Sequence, residues 1–315
     1  MTRYIIKRTF YAIVVIWAVA TLVFFMLRAV PGDPFRAMLA DVDPEAAEVL
    51  RRKFGLDRPV YIQYFLWFGR MIQGDLGNSI YGSNVPVSRV IREAFPRTMA
   101  LASLAFTISL VLAISAGIIS AVKKHSWLDH TFTVAAFLGL SMPDFWLGIL
   151  LIIVFAVNLH WLPAIGYVPL KKGFWPWFSH LILPAVAAGT PFSAIIARMT
   201  RSAMLEVLRT DYIKVAHAKG LHERVIIFRH ALKNALIPVV TVMGIAFALL
   251  MSGTVIVENV FAIQGLGRVL IQGILNRDYP VVQGAILVVS VIFVFTNLLV
   301  DILYTVIDPR IRYEG

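Results

Sequence analysis

Six stretches of this 315-residue chain are nearly free of charge for about the length that a helix needs to cross a lipid bilayer. They are residues 9–27, 98–122, 131–158, 181–197, 235–257 and 279–300. The hydrocarbon core of a bilayer is about 30 Å thick, and a helix rising about 1.5 Å per residue crosses it in about 20 apolar residues. Inside lipid every backbone polar group must be satisfied within the protein, so runs of this length read as helices. The fold class is therefore all-α: a polytopic membrane protein with six transmembrane helices. The third run is interrupted by Asp144. The fourth is the shortest, rich in small residues, with Pro184 and Pro191 inside it; neighbouring helices make such prolines tolerable. Composition agrees, being 59% hydrophobic and 15% charged, against about 25% charged for a soluble domain. The chain has no cysteine, which excludes a disulfide framework and a thiolate metal site.

The net charge of +11 has two readings, nucleic-acid binding or the excess of basic residues in cytoplasmic loops. The placement of the charges decides for the second, and no nucleic-acid partner is expected. With the N-terminus inside, the short cytoplasmic segments hold Arg3, Lys7, Arg8, Lys123 and Lys124, eight basic residues from Arg198 to Lys233, and Arg310 and Arg312. The short outer loops hold only Lys171, Lys172, Arg268 and Arg277. Both termini are therefore expected to face the cytoplasm, in a multi-pass membrane protein. Trp161, Trp175 and Trp177 suit an outer aromatic belt. The first run reads as an uncleaved helix: it exceeds a usual signal-peptide core, and Arg28-Ala29-Val30-Pro31 is a poor cleavage site.

The chain divides into four regions: an N-terminal helix at 1–27, an extracytoplasmic segment at 28–97, a five-helix core at 98–307 containing a cytoplasmic loop at 198–236, and a cytoplasmic tail at 308–315. Segment 28–97 is too polar to span and too long for an ordinary connection, so a small folded outer subdomain is expected. Within it, residues 44–53 read as a short charged helix, and residues 61–72 have helical spacing suited to lying along the membrane surface. The loop after the fourth span reads as three helices. The first continues the span to about residue 209. Thr210 is a candidate N-cap for the second, with Asp211 favoured by the helix dipole. This short helix, 211–219, stops at Gly220, followed by apolar Leu221. Tyr212, Val215, Ala216 and Lys219 share one face. A nine-residue helix is marginal alone and needs a partner; small Ala216 and Ala218 permit close approach. A third helix, about 223–235, leads into the fifth span.

Asp211-Tyr212-Ile213, Ala218-Lys219-Gly220-Leu221 and Asn234-Ala235-Leu236-Ile237-Pro238 resemble the loop of the dipeptide/oligopeptide (and nickel/glutathione) type of ABC transporter permease. Other segments agree in order: Pro31-Gly32-Asp33-Pro34, Gly55-Leu56-Asp57, Gly74-Asp75-Leu76-Gly77, Gly265-Leu266-Gly267-Arg268, Arg277-Asp278-Tyr279-Pro280 and Asp308-Pro309-Arg310-Ile311-Arg312-Tyr313. The Pro-Gly-Asp-Pro segment and the long outer loop resemble the first of the two permeases of such systems. The resemblance spans essentially the whole chain. It implies a binding-protein-dependent importer for dipeptides or oligopeptides in a bacterial or archaeal cytoplasmic (inner) membrane, in which this chain forms half of the translocation path. Its implied partners are a second related permease, two ATP-binding subunits and an extracytoplasmic solute-binding protein. ATP and Mg would be bound on the partner ATPases, with no cofactor on this chain. Asp211, Tyr212, Val215, Ala216, Ala218, Lys219, Gly220 and Leu221 would couple to the ATPase. Lys214-Val215-Ala216 departs from the Glu-Ala-Ala of the broader importer loop, and the interval from Gly220 to Pro238 is longer than usual. The same machinery could import nickel chelates, glutathione or oligosaccharides.

No Gly-x-x-x-x-Gly-Lys-Ser/Thr loop occurs, so ATP binding and catalysis are not expected here. His222-Glu223 begins like a zinc-protease helix, but position 226 is Ile rather than His. Asp144, within Ser141-Met142-Pro143-Asp144, is the deep carboxylate of the spans. It either lines the path or caps a helix broken by Pro143. Asn297 and Asp301 share a face near the inner interface and suit structural hydrogen bonding. The basic loop would also meet membrane lipids. An intramembrane enzyme would need a base at the depth of Asp144, and none is present; a purely structural anchor would show no ATP-dependent uptake.

Overall fold

A computed structural model describes residues 2–29, 57–81 and 85–307. Pro31-Gly32-Asp33-Pro34, the expected helix at 44–53, Gly55-Leu56 and the tail at 308–315 lie outside the described residues. The described residues are helical, with one isolated β-bridge, between Asn78 and Pro86.

The elements are α1 (Thr2–Ala29), α2 (Val60–Ile72), α3 (Val87–Val122), α4 (Trp127–Ser141), α5 (Asp144–Leu151), α6 (Phe174–Val207), α7 (Asp211–Ala218), α8 (Leu232–Val260), α9 (Leu266–Leu275) and α10 (Tyr279–Ile307). A π-helical stretch, Ile152–Asn158, prolongs α5, and Glu223–Val225 with π-helical Ile226–Ala231 leads into α8. Five helices are long and apolar enough to cross a membrane, and α4 with α5 makes a sixth candidate broken by a 107° bend.

The third run thus bends where the sequence places its break. Pro143 occupies the N-cap of α5 with an extended backbone, because proline disfavours a helical residue before it and donates no hydrogen bond. The second span starts eleven residues earlier than its uncharged run, since α3 begins at Val87 and holds Arg89, Arg92, Glu93 and Arg97 before the apolar stretch. At 36 residues, α3 is about 54 Å long and must project beyond a ~30 Å hydrocarbon core.

The weakest span in the sequence is the centre of the molecule. Helix α6 runs unbroken for 34 residues through Pro184 and Pro191. Half of its most apolar window is buried, against 11% for α1. Its small residues allow helix backbones to approach closely. A Cβ on Gly189 would collide with the Ser109 hydroxyl and the Ala105 carbonyl of α3, and one on Gly117 would collide with Thr200 of α6. Ser109 fastens the crossing by donating to the Gly189 carbonyl at 2.7 Å.

Helix α2 packs on α1. Phe24 is fully buried against Tyr64 and Trp67. Trp17 donates to the Tyr64 hydroxyl (3.1 Å), and Arg28 donates to Gln63 (2.9 Å) while its guanidinium lies 3.4 Å from the centre of the Phe24 ring.

The core forms three clusters along α3. At its N-terminal end Val87, Ile91 and Ala94 pack with Leu266 of α9 and Val281 of α10. The middle cluster joins α3, α6 and α8 through Leu101, Ala105, Leu181, Ala188 and Leu250. At its C-terminal end Ile118 and Ala121 pack with Ile196 and Met204 of α6 and with Ile213 and Ala216 of α7. Helices α7 and α9 therefore mark opposite ends of the bundle.

Candidate functional site

Helix α7 is built much as its sequence suggests, with two differences. Thr210 has the extended N-cap backbone (φ −71°, ψ 154°) but makes no side-chain cap; its hydroxyl instead donates to the Val207 carbonyl at 2.6 Å. The stop is complete. Gly220 has φ +73°, its N–H donates to His217 O (2.9 Å), and Leu221 N–H donates to Ala216 O (3.3 Å). These are the two bonds of a Schellman C-cap, which a left-handed glycine permits.

The second difference concerns the shared face. Tyr212, Val215 and Lys219 are exposed, whereas Ala216 is buried with Ile213 against the bundle. The contact expected of Ala216 is thus made within this chain. The buried centre of the helix is shifted toward Ile213, because a larger apolar side chain at 213 has more surface to remove from water. Asp211, Ala218 and Leu221 are also exposed, and Asp211 pairs with Lys214 at 2.7 Å.

Polar contacts fix α7 to the segment that leads into α8. His217 meets the Ile213 carbonyl (2.9 Å) and the Glu223 carboxylate (3.2 Å), and Asn234 donates to the Tyr212 hydroxyl at 2.7 Å. Apolar side chains remain uncovered among the exposed charged ones: Tyr212 (43% exposed), Val215 (51%), Leu221 (40%), Val225 (38%) and Phe228 (58%).

At the bend, Ser141 donates to Phe137 O (2.9 Å), and the half-buried Asp144 accepts from its neighbour Phe145 N–H at 2.8 Å. Asp144 is the first residue of α5, not its N-cap, yet its carboxylate satisfies one of the free amides at the helix start. Asn297 donates to the Phe293 carbonyl, one turn back along α10.

Three buried carboxylates escaped the sequence reading. Glu258, fully buried near the end of α8, accepts from Thr98 Oγ1 (2.6 Å), Gly267 N (2.8 Å) and Arg268 N (3.2 Å). It caps the start of α9; a Cβ at Gly265 would run into its carboxylate, and one at Gly267 into the Val255 backbone behind it. Asp278 accepts from Ser79 Oγ, Ile80 N (3.2 Å) and Tyr81 N (3.2 Å). It therefore joins residues 79–81, just after Gly-Asp-Leu-Gly, to the Arg-Asp-Tyr-Pro segment about 200 residues away. Asp129 at the start of α4 receives Arg201 of α6 through Nε (2.7 Å) and Nη2 (2.8 Å), together with Ser120 of α3. The missed signal was a lone acid bordering an apolar run, near residues able to donate to it.

Among the described residues no three His, Asp or Glu side chains converge as a metal site would require.

A family profile described as binding-protein-dependent transport system inner membrane component matches residues 113–313. The profile for the N-terminal part of such membrane components matches residues 1–102. The chain belongs to this family. Among its relatives, a putative peptide transport system permease protein of Brucella abortus (strain 2308) is 45% identical over the whole of both chains. The oligopeptide transport system permease protein AppB of Bacillus subtilis (strain 168) is 40% identical over 99% of this chain and 100% of its own. The glutathione transport system permease protein GsiC of Escherichia coli O6:H1 is also 40% identical, over the whole of both. The inward-facing MetNI methionine ABC transporter contains a chain of the same fold, at a TM-score of 0.59 and 19% identity, covering 70% of this chain and 97% of that one. The permease is thus a membrane component of a transport system, and ATP hydrolysis in systems of this kind lies on a separate subunit.

Proposed function

We propose that this permease forms half of the translocation path of an ATP-driven importer for dipeptides or oligopeptides, and that α7 is where a separate ATPase engages it. The observation that carries the reading is the exposure of the large apolar side chains Tyr212, Val215, Leu221, Val225 and Phe228 on a short, charged loop. Exposed apolar patches rimmed by polar groups mark sites of association. The complex would hold a second related permease, two ATP-binding subunits carrying ATP and Mg, and an extracytoplasmic solute-binding protein. The excess of basic residues supports a cytoplasmic position for both termini and α7, with α9 and Trp161, Trp175 and Trp177 at the outer side. Peptide cargo is supported by the names of the relatives; glutathione is the alternative that one of them favours.

Val215→Glu tests the reading. The side chain is half exposed, so the permease should still insert and assemble its core. A charge buried in a protein contact is costly, so ATPase docking and ATP-driven uptake of labelled dipeptides should fall together. A cysteine at Tyr212 or Val215 should crosslink to the ATPase. Full uptake by Val215→Glu with no crosslink from either position removes α7 from the docking role. Uptake of glutathione but not dipeptides by the intact complex keeps the machinery and changes the cargo.

A further inference from the structure

Helix α4 packs against α3 and α6, and its two buried residues mark two points of close approach. At one, Asp129 grips Arg201. At the other, Gly139 lies so close to α6 that a Cβ would come within 3.0 Å of Thr190. Ten residues separate the two points, or about 15 Å along the helix. Between them α4 stands away from α3 and α6 over the small residues Ala116, Gly117 and Ala197, leaving a crevice of about 170 Å³ walled by Phe132, Ala136 and Phe137.

The crevice has an apolar body and a cationic mouth. Arg198 and Arg201 line it beside Ser120. Arg201 directs Nε to Asp129 and Ser120 and Nη2 to Asp129, and Nη1 donates to no side chain or backbone group among the described residues. Arg198 is exposed, and among the described residues no carboxylate pairs with it. Lys123 and Lys124 follow Ser120 at the same end, and Trp127 there is 73% exposed, as a side chain at a membrane interface would be. The outer face of α4 beside the crevice, Val134, Phe137 and Leu138, is apolar and more than half exposed, as a lipid-facing surface would be.

We propose that this crevice is a binding site for an anionic phospholipid, with the phosphate on Arg198 and Nη1 of Arg201 and the upper part of one acyl chain between α4 and the α3–α6 pair. Size supports a chain segment: an apolar cavity of ~150 Å³ takes a benzene-sized ligand, whereas pockets enclosing whole drug-sized ligands run to ~300–1,000 Å³. Basic pockets between membrane helices are suited to anionic headgroups. The proposal rests on the chain being a membrane permease. Lipid retention is measured without cargo or ATP, so it can fail while the uptake reading stands, and the reverse.

The test is native mass spectrometry of the detergent-solubilised full chain with phosphatidylglycerol or phosphatidylcholine of identical acyl chains. Phosphatidylglycerol should be retained preferentially. Arg198→Gln should lower that retention about fivefold, the factor that one interfacial basic residue contributes on an anionic membrane, and leave phosphatidylcholine unchanged. Ala136→Leu, which fills the crevice, should lower retention of both. Arg198→Gln alters an exposed side chain, so it remains informative if Ala136→Leu does not fold. A benzophenone amino acid at Phe132 in the assembled importer should label lipid. Equal retention of the two lipids, or unchanged retention in both variants, overturns the site. So does competition by inorganic phosphate, which assigns it to a free anion, or a crosslink from position 132 to the second permease, which assigns it to a protein contact.

Discussion

Single residues decide how α7 is held. Gly220 has open space around its α-carbon, so a side chain there suffers no collision and only the cost of φ +73°. For a β-branched residue that cost is about 1–2 kcal/mol. Gly220→Val should therefore loosen the end of α7, read as faster hydrogen exchange in residues 211–221, while Gly220→Asn should be nearly neutral because Asn tolerates the left-handed region. Ala216→Trp is a different lesion. Ala216 is 7% exposed within the cluster around Ile196 and Ile226, so the indole would have to displace the helix, and overpacking of this kind costs about 1–3 kcal/mol. The Asp129–Arg201 pair offers a cleaner measurement. Asp129 is buried but Arg201 is about a third exposed, so removing one partner should cost less than the ~3–5 kcal/mol of a fully buried pair, whereas an apolar replacement of both is often tolerated. Asp129→Leu alone should lower the melting temperature of the purified chain, and Asp129→Leu with Arg201→Met should recover much of the loss. Equal melting of the single and double variants would mean that the ion pair does not hold α4.

At the level of elements, α9 depends on an acid in another helix. Two backbone amides at its start and the Thr98 hydroxyl all point at Glu258. Glu258→Ala would leave those donors unpaired, at about 1–3 kcal/mol each, and should release α9 while the long spans stay formed. Proteolysis within 261–278 should then accelerate. The sequence could indicate α9 only as a Gly-rich motif, because a ten-residue helix between two spans has no long apolar run, and the acid that orients it belongs to the preceding helix. It was most informative where chemistry is local. Pro143 set the bend and Gly220 set the stop of α7. It was least informative where partners are distant in the chain, as in Asp278 with residues 79–81, or where smallness is the signal, as in α6. Alanine and glycine lower hydropathy but let helices touch, so the least hydrophobic span became the most enclosed. Ala216 shows the same limit: spacing identifies a face, but which neighbour covers it is a tertiary fact.

For the whole molecule, α3 gives the axis. Lys123, Lys124 and the loop from Arg198 to Lys233 collect at its C-terminal end, while residues 159–173 and 261–278 belong to the other. The chain has no native cysteine, so single introduced thiols report sidedness directly. In intact cells a cysteine at Lys171 should react with an impermeant reagent, and cysteines at Lys124 and His217 should react only after the membrane is opened. Labelling of position 217 from outside would reverse the proposed orientation. Asp144→Asn belongs to the same scale. An amide oxygen can still accept from Phe145 N–H, so a residue serving only the helix start should leave uptake largely intact; loss of uptake in a fully assembled complex would instead place the carboxylate on the cargo's route.

Ile213 and Ala216 lie in one packed cluster with Ile118, Ile196 and Val239, and the short helix meets the long ones chiefly through the π-helical segment Ile226–Ala231 that continues into α8. Protein interiors are as dense as organic crystals and compress very little. There is consequently no slack between the face that α7 presents and the helices behind it. If α7 receives the ATPase as proposed, a push of an ångström or two on that face should arrive at the long helices as a stroke of similar length, as through a rod and not a spring. A stiff linkage of this kind would not yield by degrees, and the bundle would hold its position until its packed interfaces slip together into another arrangement.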